Sequence, residues 1–427
     1  MDLQLITAAP GFPLYFRAPN LQDLRESNEF LNYLLDNMGA AVLIADENYQ
    51  IHQFNDSFLD LFDSAAAVST MKSFGEVSGC VNAVKENKAC GETSACAGCV
   101  LRHSLIQTLV ADAPVNRKPL DRIFYIRGRA VQKYLRFTTR RIVYRGRTMI
   151  LVIIYDVSDI EHQKVELQRK QALIDEDLKA AAAIQRSLLP EGKPSIPNLQ
   201  VAWEFDPCER IGGDIFNIQR VDNDHVGLYM IDVCGHGVPA ALISVAASQY
   251  LAGPQGLLGS GCQLASPETV LNQINAAFPF ERFDSYLSIV CMNIDIRRGI
   301  LTYSGAGHPP PLLLRACEKL ETVDHRGPVI GFGSGAPYSQ SEVRLEPGDK
   351  IILYTDGLTE NRGLEGRAFG RETFYKILRD FGSRPVDELI RGLHAAVRAF
   401  LKNVKPDDDI SVLGVEYTGP AANHYII

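Results

Sequence analysis

Short apolar runs bounded by turn residues mark the first third of the chain. A helical segment, Glu29–Asn37, leads into the apolar run Ala41–Ala45, the turn Asp46-Glu47-Asn48 and a second run, Gln50–Phe54, which together predict a β-hairpin. Asn55 and Asp56 are suited to cap a helix over Ser57–Phe62, because a short polar side chain can accept the free N–H groups of a first turn. Three strand-like stretches, Arg122–Arg127, Tyr134–Arg141 and Thr148–Tyr155, close this region. The period then changes. From Asp159 to Pro190 the chain is charged, and Ile160, Leu167, Ile174, Ala181 and Leu188 fall seven apart, the spacing of a coiled-coil seam. At the complementary positions Gln163, Lys170 and Asp177 are polar and Ile184 alone is apolar, so a single amphipathic connecting helix is the alternative. Pro190 is expected to stop that helix.

Beyond the linker, strands end at acidic residues. Val226–Ile231 precedes Asp232, and Lys350–Tyr354 precedes Asp356. Tyr286–Ile294 and Ile300–Ser304 predict a hairpin around Arg297-Arg298-Gly299, and Ile410–Tyr417 a final strand. Helical stretches occupy Pro239–Leu251, Pro267–Ala277, Arg371–Asp380 and Val386–Lys402. Strands with helices inserted between them predict an α+β sandwich, helices outside a sheet core. The expected organisation is a leader (1–25), a first domain (26–157), a helical linker (158–190), a second domain (191–418) and a tail (419–427).

Composition narrows the class. The 427 residues are 46% hydrophobic, enough to bury full cores. The formal net charge of −8 argues against a general nucleic-acid binder, which needs clustered Lys and Arg to neutralise phosphates. No apolar run approaches the roughly 18 residues of a membrane helix, and no signal peptide is read at the N-terminus, so a cytoplasmic protein without a membrane partner is expected. In a reducing compartment the nine cysteines do not predict a disulfide framework. Cys208, Cys234, Cys262, Cys291 and Cys317 are scattered and read as buried small hydrophobes.

Four acidic motifs carry the candidate chemistry: Gly212-Gly213-Asp214, Asp232-Val233-Cys234-Gly235-His236-Gly237, Tyr354-Thr355-Asp356-Gly357 and Asp407-Asp408-Asp409-Ile410. Glycine lets a backbone approach a ligand closely. Carboxylates brought together repel unless a cation neutralises them, and hard oxygen donors suit Mg²⁺ or Mn²⁺. Taken singly, an Asp-Gly is more often a turn and an acidic run more often a solvated loop. The ordered set, however, resembles the PPM, or protein phosphatase 2C-like, family, in its branch typified by stage II sporulation protein E. The strings that carry the resemblance are AAAAIQRSLLP (Ala180–Pro190), IGGD (Ile211–Asp214), DVCGHGVPAAL (Asp232–Leu242), GAGHPPPLLL (Gly305–Leu314), YTDGLTE (Tyr354–Glu360) and DDISVL (Asp408–Leu413).

That resemblance implies an α-β-β-α sandwich holding two Mn²⁺ or Mg²⁺ ions. It implies Asp214, Asp232 and the Val233 carbonyl as ligands of the first ion, with Asp232 bridging, and Asp356 and Asp408 as ligands of the second; a slip to Asp409 is the alternative for the last. The family's usual GGDxxD ends here in Asn217, which puts a metal or outer-shell contact in question. His236 and His308 read as residues that order glycine-rich loops, with general-acid roles as the alternative. Arg210 is either a phosphate contact or a surface charge. Gly327–Phe332 resembles a segment near the family's mobile flap.

The first domain resembles a PAS sensor, in LLDNMGAAVLIADENYQIHQFNDSFLDLF at its opening and ILVIIYDVSDI at its end. Within it, Cys80, Cys90, Cys96 and Cys99 lie in twenty residues, with one CxxC pair. Four thiolates can complete a zinc site or hold an iron–sulfur cluster; a Cys96–Cys99 redox disulfide and unligated thiols are the alternatives. The whole predicts a metal-dependent phosphoserine/phosphothreonine protein phosphatase controlled by a PAS sensor, dimeric through its linker. By resemblance the substrate is a phosphorylated STAS-type anti-sigma-factor antagonist. A phosphoprotein-binding scaffold without turnover is the main rival. A nucleotide cyclase fits less well because Gly-Gly-Asp lacks its acidic continuation, and a histidine kinase because no nucleotide-binding glycine pattern follows the linker.

Overall fold

The computed structural model describes residues 33–63 and 71–420, apart from 36, 193, 254–255, 259–263, 318, 324–325, 333–336 and 403. The expected leader, most of the helix at Glu29–Asn37, Cys262 and most of the tail lie outside the described residues. Two compact units divide the chain, Met1–Gln171 and Ala172–Ile427.

The first unit is built on a five-stranded antiparallel sheet of β1 (Ala41–Ala45), β2 (Ile51–Phe54), β3 (Val115–Ile126), β4 (Arg129–Tyr144) and β5 (Arg147–Asp156), in the order β2-β1-β5-β4-β3. The predicted hairpin forms because the Asp46 carboxylate accepts the N–H groups of Asn48 and Gln50, both at 2.9 Å. Asn55 is the cap foreseen for α1 (Asp56–Phe62): its Oδ1 accepts from Phe58 at 3.2 Å and from Val42 at 2.8 Å, tying helix to sheet. Between β2 and β3 lie α2 (Phe74–Val77), α3 (Val81–Glu86), a 3₁₀ turn (Ser94–Gly98) and α4 (Val100–Ala111). The sequence reading assigned no element here: α2, α3 and the 3₁₀ turn are only four to six residues long, and α4 mixes apolar and polar positions without a single apolar face. β3 starts seven residues earlier than expected, at Val115, because the polar stretch Asn116–Lys118 lies between the buried Val115 and Leu120 and the segment pairs with β4. Phe58, Phe124 and Phe137 are fully buried and anchor the core; each such side chain contributes roughly 1.5–3 kcal/mol relative to exposure.

Helix α5 (Ser158–Arg186) follows, its start held by Asp156, which accepts the Ser158 N–H at 2.9 Å. It ends four residues before Pro190, so Leu188 lies beyond the helix and packs on the core of the second unit. Ile160, Leu167, Ile174 and Ile184 are all exposed along it. Among the described residues no helix is long and apolar enough to cross a membrane.

The second unit is the predicted α+β sandwich. One sheet runs β13 (Arg326–Gly327), β10 (Ile300–Ala306), β9 (Leu287–Asp295), β8 (His225–Val233), β7 (Ile215–Arg220), with β14 (Ser341–Arg344) added on β10. The other runs β12 (Leu320–Thr322), β11 (Leu312–Leu314), β15 (Lys350–Tyr354), β16 (Ile410–Tyr417), β6 (Leu199–Asp206). The main core joins the two, with Ile215, Met230 and Ile289 from the first sheet and Val201, Leu353 and Leu413 from the second. Helices α6 (Val238–Ala252) and α7 (Pro267–Ala277) cover the first sheet. Helices α8 (Arg371–Asp380) and α9 (Val386–Leu401) lie on the second sheet's side, with α9 packed on β6 and β16 around Phe374, Leu389 and Val397. Strands covered on both faces read as continuous apolar runs, which is why β9 and β15 were legible without alternation. Asp232 differs from expectation in one respect: it lies inside β8, paired with Ser288, rather than after the strand.

Candidate active site

The four motif carboxylates come from both sheets of the second unit. Asp214 immediately precedes β7, and Asp232 is the penultimate residue of β8. Asp356 opens the short turn Gly357–Glu360 after β15, and Asp408 stands in the loop before β16. Side chains of one sheet reach the carboxylate of the other. Asp214 is buried, and its Oδ2 accepts hydrogen bonds from the Thr355 hydroxyl at 2.8 Å and the Ser411 hydroxyl at 2.6 Å. Neither hydroxyl was singled out from the sequence, although both lie within the motif strings.

Asp408 and Asp409 have different surroundings. Asp409 is 2% exposed and turns inward, its two oxygens accepting the backbone N–H groups of Cys208 (2.8 Å), Gly213 (2.6 Å) and Asp214 (3.3 Å). It therefore fixes the Gly-Gly-Asp loop. A side chain at Gly212 would meet the Asp409 carboxylate, and one at Gly357 would meet the Asp409 carbonyl, so both positions require glycine for close approach. Asp408 accepts only its neighbour's N–H, at 2.8 Å, and stays partly exposed beside the other acids. Asn361, buried, joins the two loops: its amide donates to the carbonyls of Gly357 (2.7 Å) and Asp408 (2.9 Å), and its oxygen accepts the Asp408 N–H.

The electrostatics show how close these groups stand. Burial pushes Asp214 well above the ordinary carboxylate range, and the charges of Asp232 and Asp409 push it further. Burial, then Asp356 and Asp408, raise Asp232 to about 7. Burial, then Asp356 and Asp409, raise Asp408 to about 6. Such mutual destabilisation is what a bound cation relieves. Among the described residues no three Asp, Glu, His or Cys side chains converge tightly enough to hold an ion as they stand. The donor set nevertheless fits hard divalent cations, because Mg²⁺ keeps several waters and needs only one or two carboxylates per ion.

Other sequence candidates fall into place around this centre. Asn217 does not face the acids: its amide donates to the Leu188 carbonyl at 3.0 Å. Arg210 pairs with Asp175 at 2.7 Å on an exposed surface. His308 is buried, its Nδ1 donating to the Pro309 carbonyl at 3.0 Å, and burial lowers its pKa to about 4. It is therefore neutral near pH 7 and orders its loop. His236 is exposed, 3.3 Å from Glu209. Of the scattered cysteines Cys208 and Cys291 are buried as expected, whereas Cys234 and Cys317 are exposed, because Cys234 sits in the loop after β8 and Cys317 in a turn.

Two features escaped the sequence reading. Gln185, near the end of α5, is buried; its amide donates to the Gly212 carbonyl at 2.7 Å and its oxygen accepts the Gly212 N–H at 3.1 Å. The last turn of the helix is thus hydrogen-bonded to the Gly-Gly-Asp loop. The second is an aromatic lip. Phe280 stacks on Phe332 with centroids 5.2 Å apart, and Tyr286 tilts onto Phe332 at 5.6 Å. The Tyr286 phenol is raised first by its hydrogen bond with Cys234 and also by Asp232 and Asp356, so the lip borders the acids.

In the first unit, Cys80, Cys90, Cys96 and Cys99 line one cavity of about 60 Å³. All four are free thiols, which leaves the Cys96–Cys99 disulfide unformed. Among the described residues no three of them form a group that could hold a metal ion, so neither the expected zinc site nor an iron–sulfur cluster is supported; one guanidinium, that of Arg122, lies against both Cys80 and Cys99, and the Gly91 N–H donates to Cys96.

Residues 222–418 match the family model described as Stage II sporulation protein E (SpoIIE). Residues 222–418, just under half of the chain, thus carry a SpoIIE-type domain. The chain is 24% identical to phosphoserine phosphatase RsbU of Bacillus subtilis over 266 residues, 62% of this chain and 76% of RsbU. It is 25% identical to protein IcfG of a Synechocystis strain over 228 residues, 47% of this chain but only 35% of that longer protein. Among solved structures it resembles the SiaA-PP2C domain of Pseudomonas aeruginosa, with a TM-score of 0.51 and 25% identity, covering 59% of this chain and 99% of that domain. The second unit accordingly has the PP2C-type fold.

Proposed function

We propose that the chain is a metal-dependent phosphoserine/phosphothreonine protein phosphatase governed by an N-terminal PAS-type sensor. The observation that carries this reading is the gathering of Asp214, Asp232, Asp356 and Asp408 from both sheets, with Asp214 held by Thr355 and Ser411 and its loop by Asp409, so that burial and neighbouring carboxylates raise Asp214, Asp232 and Asp408, in the unit whose residues 222–418 match the SpoIIE family model. Asp214, Asp232 and the Val233 carbonyl would hold one Mn²⁺ or Mg²⁺, and Asp232, Asp356 and Asp408 a second. Two such ions, when bound, make a water nucleophilic at neutral pH and offset charge on a phosphoryl group. The chain's own contribution is positional. Thr355 and Ser411 orient Asp214, Asp409 fixes the loop that carries it, and Asn361 sets the distance between the Asp356 and Asp408 loops. No cysteine or histidine nucleophile is required.

The substrate proposed is a phosphorylated STAS-type anti-sigma-factor antagonist, supported by the motif resemblance and by the relative RsbU being a phosphoserine phosphatase. The exposed Ile160, Leu167 and Ile174 of α5 support a homodimer through that helix. The contact between Gln185 and Gly212 supports the helix end as the point where a sensor signal acts on the loop. The deciding experiment compares Mn²⁺-dependent phosphate release by wild type, Asp232→Ala and Asp356→Ala, on p-nitrophenyl phosphate and on a phosphorylated STAS protein. Loss of turnover in both variants is expected. Full turnover in both would refute the site, and turnover on the small ester alone would refute the substrate.

A further inference from the structure

We infer that the cavity of the first unit is a binding site for a short aliphatic monocarboxylate, an anion of about four to six non-hydrogen atoms. Charge points to an anion. Arg122 on β3 and Arg102 on α4 both line the cavity, and no Asp or Glu does. Arg122 is half-buried, and its Nη1 meets two thiol sulfurs, Cys80 Sγ at 3.5 Å and Cys99 Sγ at 3.6 Å. Thiols are weak acceptors. Elsewhere on the β3–β4 hairpin arginines find carboxylates: Arg127 reaches Asp63 at 2.8 Å, and Arg136 reaches Asp121 at 3.2 Å and Glu161 at 3.1 Å. Among the described residues neither Arg122 nor Arg102 has such a partner; Arg102 lies over the Tyr49 ring, 5.5 Å from its centroid. A guanidinium withdrawn from water is costly until an anion joins it, and a planar carboxylate accepts two of its N–H groups at once.

Size and lining set the class of anion. The cavity measures about 60 Å³. One water needs roughly 10–15 Å³, so the space admits about four to six heavy atoms, too few for a nucleotide or an aromatic cofactor. Much of the remaining wall is apolar, with Phe74, Leu105, Leu120 and Phe124. An inorganic anion would leave those groups facing charge. A carboxylate of two to four carbons sets its charged end on the arginines and its alkyl end against the apolar wall, the usual division of labour in a small-molecule site. The thiols then form a soft, weakly polar part of the wall. Neither the cavity nor its charge depends on the second unit's being a phosphatase, and the test reads binding, not turnover.

The test titrates the full chain with isotope-labelled propionate, followed by ligand-observed NMR, with propionamide as the neutral counterpart and nitrate as the anion without a tail. Saturable binding of one propionate per chain is expected, no tighter than about a few micromolar for so small a ligand. Acetate and butyrate should displace it, and propionamide and nitrate should each compete at least about tenfold more weakly. Arg122→Gln should weaken propionate at least about tenfold, Arg122→Lys, which keeps the charge, should lose less, and Arg127→Gln, whose side chain pairs with Asp63, should bind as wild type. Should Arg122→Gln fail to fold by circular dichroism, the propionamide and nitrate comparisons on the wild-type chain still decide. No saturable propionate binding up to about 100 mM, equal competition by propionamide or nitrate, or undiminished binding by a folded Arg122→Gln would each overturn the proposal.

Discussion

The carboxylate group of the second unit and the cysteine group of the first each gather several side chains of one kind around one space, but by different means. The aspartates are contributed by loops and strand ends of two separate sheets, and their spacing is set by cross-links such as Asn361 and Asp409. The cysteines come from one stretch of twenty residues, and polar donors are directed at individual sulfurs, Arg122 at Cys80 and Cys99, Gly91 at Cys96. The buried carboxylates crowd one another with charge that small hard cations would neutralise; the thiols line a small cavity bordered by Arg102 and Arg122 and by no Asp or Glu. The surroundings, and not the donor type alone, set the electrostatics of each group.

The strongest way to break that contrast is to separate adjacent acids. Asp408→Asn is expected to lower Mn²⁺-dependent turnover by roughly 10²–10³-fold while leaving urea stability nearly unchanged. Asp409→Ala removes the acceptor of three buried N–H groups and should cost at least about 3 kcal/mol in urea unfolding. If the two substitutions exchanged these phenotypes, Asp409 would be the ligand and the assignment here would be reversed. Metal selectivity sharpens the comparison next. Mn²⁺ at about 100 times its dissociation constant should stabilise the second unit by roughly 2.7 kcal/mol, seen as hydrogen-exchange protection around Asp214, Asp356 and Asp408, with no change around Cys80–Cys99. Protection of both regions would show that the two sites are not chemically distinct.

A pH experiment reports on His308. Its folded pKa, about 4, lies below the ordinary value near 6.5, so the unfolded chain binds the proton first. Stability from this group is present above about pH 6.5 and is lost as pH falls toward 4, by roughly 3 kcal/mol in all. His308→Gln should flatten that part of the Tm-versus-pH curve; an unchanged slope would assign acid sensitivity elsewhere. Gln185→Ala removes two hydrogen bonds to Gly212, worth about 1–2 kcal/mol, and should lower turnover without changing secondary structure by circular dichroism. The smallest effect is expected at the lip. Phe332→Ala should raise KM for a phosphoprotein several-fold and leave p-nitrophenyl phosphate hydrolysis alone, because a small ester does not reach that exposed ring.

The regular elements of the second unit were readable because their signals are local. The apolar run of β15, the alternating faces of α8 and α9 and the turn at Gly299 each declare themselves within a few residues. Helices α2 and α3 did not, since they are only four and six residues long, nor did α4, whose apolar residues form no single face. The heptad across the linker overshot the helix end, because Leu188 packs on the core of the second unit rather than continuing the helical seam.

By itself the sequence determined which residue types were available: aspartates beside glycines at strand ends, four cysteines in one short stretch, a charged helix between two units. The tertiary structure alone decided that Asp409 serves the backbone while Asp408 stays among the acids, that Gln185 reaches Gly212, and that the four cysteines line one cavity. The reason is that these roles depend on which unpaired N–H group or cation lies nearest, and those partners come from elsewhere in the chain, as far apart as Cys208 and Asp409.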